Sequence, residues 1–169
     1  LTPEVALPLY VAVSTDTGCF VYSNVTANTH RVAAALMETG IDYKAANKLH
    51  FRTKSKKRLA LAGELLRTME FYDEDRVVIV AVPQSLQKSM ALSEADMEDL
   101  ASLGGLVEGT DCAVTMKETK DGAWKVSVRT GGRVNATRAC SFLGGGGHRA
   151  ASGCVYHGPL AEAKAAILA

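Results

Sequence analysis

Gly144-Gly145-Gly146-Gly147-His148-Arg149-Ala150-Ala151-Ser152-Gly153 is the stretch that decides the fold. Four consecutive glycines need a cause, because each gives up about 0.5–1 kcal/mol of extra backbone entropy on ordering. The run is a flexible linker, a structural turn, or a loop where bare N–H groups approach a ligand. Linkers join separate segments and are flanked by small polar residues or proline. Here the apolar residues Ala139, Cys140, Phe142 and Leu143 precede the run, and a strand-like segment follows. That context favours a tight loop, and phosphate is the usual ligand of such a loop. A structural turn stays open as the alternative.

On either side of the run, residues 135–143 read as a helix, 153–156 as a strand and 159–168 as a closing helix. Residues 110–117 and 124–129 read as strands joined by a turn carrying Asp121-Gly122, a hairpin signal. In the second of these, Trp124, Val126 and Val128 alternate with Lys125, Ser127 and Arg129, the period of a half-buried strand. Residues 76–82 form a β-branched, buried strand stopped by Pro83. Two helices follow it, over 85–90 and from a Ser93 cap to Gly104-Gly105. Residues 75–169 therefore read as one small α/β domain with a mixed sheet.

Ahead of it, residues 51–74 read as a linker helix, with Leu59, Ala62, Leu66 and Met69 on one face. Residues 1–50 supply helices over 26–37 and 42–49, and an apolar run over 6–13 that is expected to pass from helix into a short strand. That is too little to bury a core alone. Thr15-Asp16-Thr17-Gly18 ends the run, so Asp16 is either a turn aspartate or a group at an element's end, where α/β sheets place their chemistry.

Bulk composition narrows the function. The chain has 169 residues and a net charge of +1, so no global basic field argues for bulk nucleic-acid binding, and any phosphate recognition is local. Lys54, Lys56, Lys57 and Arg58 are either a solvated face or a basic patch beside a nucleotide backbone. The four cysteines form no C-x-x-C pair, which argues against zinc and for reduced thiols in a cytoplasmic protein. No apolar run reaches the roughly 20 residues that span a bilayer. Arg129 has a guanidinium able to fork two phosphate oxygens, and His148 can donate to a third. Alone, each reads equally as an ordinary surface or loop residue.

Ala12-Val13-Ser14-Thr15-Asp16-Thr17-Gly18-Cys19-Phe20, with Ser127-Val128-Arg129-Thr130, Arg133-Val134-Asn135 and Gly144 to Gly153, resembles the DHH phosphoesterases with their DHH-associated domain. The similarity is greatest to the branch of bifunctional oligoribonucleases and 3′-phosphoadenosine-5′-phosphate phosphatases. The resemblance implies that residues 1–50 are the last strand and helices of a truncated parallel α/β DHH domain. It implies that Asp16 is the final ligand of a two-manganese site, and that Arg129, Gly145, Gly146, Gly147 and His148 bind the substrate's terminal phosphate. It implies short RNA or a nucleotide as substrate, a possible homodimer and no membrane partner.

The departures are equally specific. The family's H-x-D-x-D segment and D-H-H triplet do not occur here. The expectation is therefore a C-terminal part of a longer protein, unable to hold Mn2+ stably or to hydrolyse substrate by itself. Ser152 stands where alanine is usual. Two other readings share some of these motifs: a cyclic-dinucleotide phosphodiesterase, and a non-catalytic RNA-binding module like the C-terminal domain of alanyl-tRNA synthetase.

Overall fold

The computed structural model describes residues 1–169, which divide into two compact units, Leu1–Lys54 and Ser55–Ala169. The first unit is helical. Pro3 opens α1 (Pro3–Asp16), where its missing N–H costs nothing. α2 (Ala27–Met37) starts on a reciprocal box, in which Thr26 Oγ1 accepts from Thr29 N and Thr29 Oγ1 accepts from Thr26 N. α3 (Tyr43–Asn47) is capped by Asp42 and runs into a π-helical turn, Lys48–Arg52. Ala6 and Tyr10 pack on Ala33, Leu36 and Ile41. The short strand expected within the run over residues 6–13 is absent, and α1 continues through Asp16 instead. A helix bonds its own backbone, whereas a strand needs a neighbour, and residues 1–54 contain no other strand to supply one.

The second unit is built on a six-stranded mixed sheet. Its strands are β1 (Glu70–Tyr72), β2 (Val77–Val82), β3 (Cys112–Glu118), β4 (Trp124–Thr130), β5 (Gly146–His148) and β6 (Ala151–Tyr156), in the order β1-β2-β3-β4-β6-β5. Only β2 and β3 run parallel. Its helices are α4 (Lys56–Arg67), α5 (Gln84–Ser89), α6 (Ala136–Ser141) and α7 (Leu160–Leu168). On one sheet face Met116, Trp124, Val126 and Val128 are buried with Cys140 of α6 and Ala163 of α7. On the other, Val80 and Val82 of β2 meet Leu61 and Leu65 of α4, together with Met97, Leu100 and Leu103. That second cover reaches β4 through the Leu100–Ser102 turn and leaves the outer strands bare. Beyond it Lys125, Arg129, His148 and Val155 are exposed, so part of one sheet face is open.

Three expectations fail for local reasons. The helix read over residues 93–104 is a series of 3-10 turns, Ala95–Met97, Leu100–Ser102 and Gly104–Leu106, interrupted by Asp99 at φ +56°. Residues 51–74 are no linker, because α4 and β1 belong to the second unit and α4 feeds its core. The face of α4 that is buried carries Leu61 and Leu65, while Leu59 and Leu66 are exposed. Lys57 Nζ donates to Ala91 O at 2.6 Å and Arg58 Nε to Glu98 O at 3.2 Å. Arg58, Leu61 and Leu65 share one i, i+3, i+7 stripe, so this anchor fixes the helix roll. It also assigns two of the four cations at residues 54–58 a structural task. The four cysteines are free, and burial, followed by the neighbouring Cys154 thiol, pushes Cys140 up to about 12.

Candidate functional site

Strand register brings the sequence-predicted phosphate residues of the second unit together. Arg129 of β4 is paired with Ala151 of β6, and Ala151 with His148 of β5. Paired residues of an antiparallel ladder point to the same face. Arg129 and His148 therefore stand on the open face with only the Ala151 methyl between them. Strands lie about 4.8 Å apart, so the two backbone positions are roughly 10 Å apart, and both side chains are long enough to converge above Ala151. The next row along the strands is Thr115, Ser127, Gly153 and Gly146. Thr115 is buried with its hydroxyl donating to Leu100 O at 3.3 Å, so the open part of this row is the Ser127 hydroxyl followed by two residues without side chains.

The four glycines have separate causes. Gly144 lies at φ +71° and turns the chain out of α6. A Cβ on Gly145 would come within 2.3 Å of Gly153 O and 2.4 Å of Cys154 Cβ. Gly147 lies at φ +146°, and its Cβ would meet Ala151 O at 2.6 Å. Gly146 alone has neither a positive φ nor a neighbour within 4 Å of such a Cβ. Folding does not require a glycine at 146, and that position faces the same open surface as Arg129 and His148.

The run is not a loop at a helix N-terminus, as the generic phosphate loop is. It follows the C-terminal end of α6 and becomes β5, the edge strand of the sheet. An edge strand turns half of its backbone groups away from its neighbour, free for a ligand. The tip of the β5–β6 hairpin is braced by residues that sequence reasoning missed. Thr137 Oγ1 donates to Gly147 O at 3.2 Å. Ser152 Oγ lies 3.1 Å from both Thr137 Oγ1 and His148 O and shares its proton between them. Ala136 N donates to Arg149 O at 2.8 Å and Thr130 N to Ala150 O at 3.0 Å. The single sequence signal was a serine at 152 in place of the usual alanine. Ser152 is buried, and it holds the carbonyl of the candidate ligand residue His148.

In the first unit, Asp16 lies in the last turn of α1 and is exposed. Its Oδ2 accepts from Asn24 Nδ2 at 3.0 Å, and its backbone carbonyl from the same amide at 3.3 Å. The loop beyond it is strained. Gly18, Cys19 and Phe20 lie at φ +55°, +56° and +66°, and a left-handed non-glycine residue costs about 1–2 kcal/mol. Buried Thr17 closes this loop: its Oγ1 donates to Val13 O at 2.7 Å, and its carbonyl accepts from Val21 N and Tyr22 N. A helix C-terminus carries partial negative charge, and a carboxylate there suits a hard divalent cation. No group of three or more His, Cys, Asp or Glu accompanies Asp16. The residues present fit one ligand position and not a two-ion centre.

The helices of the first unit and the strand order of the second are those of exopolyphosphatase-related, DHH-type proteins. The chain matches the crystal structure of an exopolyphosphatase-related protein from Bacteroides fragilis with a TM-score of 0.92 at 25% identity, over 99% of this chain and 49% of that one. Curated homologues of the chain are named bifunctional oligoribonuclease and PAP phosphatase NrnA. The chain is 35% identical to the Thermus thermophilus protein of that name over 158 residues, 93% of this chain and 46% of the relative. A Streptococcus mutans protein of the same designation is 26% identical over 153 residues, 90% of this chain and 48% of the relative. The chain spans about half the length of the curated relatives it matches. No family model matches the sequence, and no helix is long and apolar enough to cross a membrane.

Proposed function

We propose that this chain carries the substrate-holding part of a manganese-dependent phosphoesterase that hydrolyses short oligoribonucleotides, 3′-phosphoadenosine 5′-phosphate, or both. The observation that carries the reading is the row Arg129–Ala151–His148 on the open sheet face. Arg129 forks two oxygens of a terminal phosphate, and His148 donates a proton to another. Gly145 and Gly147 hold the hairpin in shape, while Gly146 leaves room for the ligand to approach the β5 backbone. Asp16 supplies one oxygen ligand to a metal centre whose other ligands are not among these residues. A metal pair completed by ligands from elsewhere would supply water activation and charge stabilisation for displacement at phosphorus. The names of the homologues support the substrate class.

Two measurements test the reading. The purified chain binds adenosine 5′-monophosphate in titration calorimetry and does not bind adenosine, because the phosphate carries recognition. It gives no turnover of a dinucleotide with added Mn2+, because one carboxylate does not hold two ions. Equal affinity for the nucleoside would overturn the clamp, and robust hydrolysis would overturn the division of labour.

A further inference from the structure

Beyond the clamp a further cation, Lys125, lies near the Glu94 carboxylate without forming an ion pair to it. Lys125 of β4 pairs with Lys117 of β3 and Val155 of β6, two rows from Arg129 on the same open face. Lys117 is tied to Glu94 at 2.6 Å, whereas neither Lys125 nor Arg129 is in an ion pair. Lys125 and Arg129 line one cavity of about 210 Å3, with Ser127 on the floor between them and Met97 and Leu100 in its wall. Asp99 is the one carboxylate of that lining. Four residues of strand separate the two cations, about 13–14 Å at about 3.4 Å per residue, and Arg129 Nη1 donates to Val128 O at 3.1 Å, so a ligand reaches both ends only if these long side chains turn towards it. The Ser127 hydroxyl makes no hydrogen bond within the protein, although the residue is half-buried. Cations at both ends, a spare hydroxyl between them and an apolar wall match a nucleoside unit flanked by two phosphates.

We propose that Lys125 forms a second anion subsite. It holds the next phosphate of a ligand whose terminal phosphate lies at Arg129 and His148, so the face selects nucleosides carrying two phosphates over those carrying one. The inference rests on the terminal-phosphate reading, and the test separates the two.

The test is calorimetric titration of the full chain with adenosine 5′-monophosphate and with the 5′-phosphorylated dinucleotide pApA. Wild type binds pApA more tightly. K125Q weakens pApA about tenfold and changes the monophosphate by less than about twofold, while K125R restores pApA binding, since only the charge is needed. Circular dichroism checks that the variants fold. Loss of both ligands alike in K125Q, loss of neither, or no preference for pApA in wild type overturns the second subsite. R129Q reports on the first reading: if it spares the monophosphate while K125Q still weakens pApA, the terminal clamp is misassigned and the second subsite stands. If wild type binds neither nucleotide, both fall.

Discussion

At the residue scale, the four glycines divide between folding and binding. Gly145 and Gly147 are glycines because the sheet and the hairpin leave no room for a methyl group, and Gly146 is a glycine without a packing cause. G147A is expected to lower stability by at least about 1 kcal/mol, since alanine resists a positive φ and its Cβ meets backbone. G146A is expected to leave the thermal midpoint within about 2 °C of wild type and to weaken nucleotide binding severalfold. Thermal melts and titrations of the two variants check this. A strongly destabilised G146A would mean that its glycine serves the fold after all. The sequence announced the run and the His148 beside it, but not this division, because only strand pairing tells which positions face open space.

Among the elements, α4 and the 3-10 segment were the least legible. Two leucine stripes compete on α4, Leu59–Leu66 and Leu61–Leu65, and periodicity does not choose between them. The choice is made by Arg58 and Lys57, whose hydrogen bonds to the carbonyls of Glu98 and Ala91 span 40 and 34 residues in sequence. Leu65→Ala is therefore expected to cost about 2–5 kcal/mol in urea denaturation, and Leu66→Ala less than about 1 kcal/mol. The reverse order would restore the stripe that periodicity suggested.

The segment after α5 is held by Asp96, whose carboxylate is drawn down to about 2 by hydrogen bonds from Ser93 backbone, Ser93 hydroxyl and Ser55 hydroxyl. A carboxyl depressed in the folded state stabilises it above the unfolded pKa of about 3.9, and the contribution fades as pH falls from 4 towards 2. The stability difference between wild type and D96N is expected to shrink across that window. A difference independent of pH there would remove Asp96 from the account.

For the whole molecule, fold class was legible because β2, β3 and β4 carry plain β-branched or alternating patterns, and the hairpin between β3 and β4 announces itself in Asp121-Gly122. The short edge strands β1 and β5 were not, since three residues of Glu-Phe-Tyr or Gly-Gly-His have no period to read. The helical extension of α1 through Asp16 was missed because its valines suit a strand, and only the absence of a neighbouring strand forbids one. Arg129 and His148 are 19 positions apart in sequence and reach one row only through two strand pairings. Titration of adenosine 5′-monophosphate into wild type, Arg129→Ala, His148→Ala and the double variant tests whether the two side chains share one phosphate. Each single variant is expected to bind at least about tenfold more weakly, with the double variant losing less than the sum of the two free-energy changes, because both side chains hold one phosphate. Unchanged affinity in both single variants would contradict that sharing.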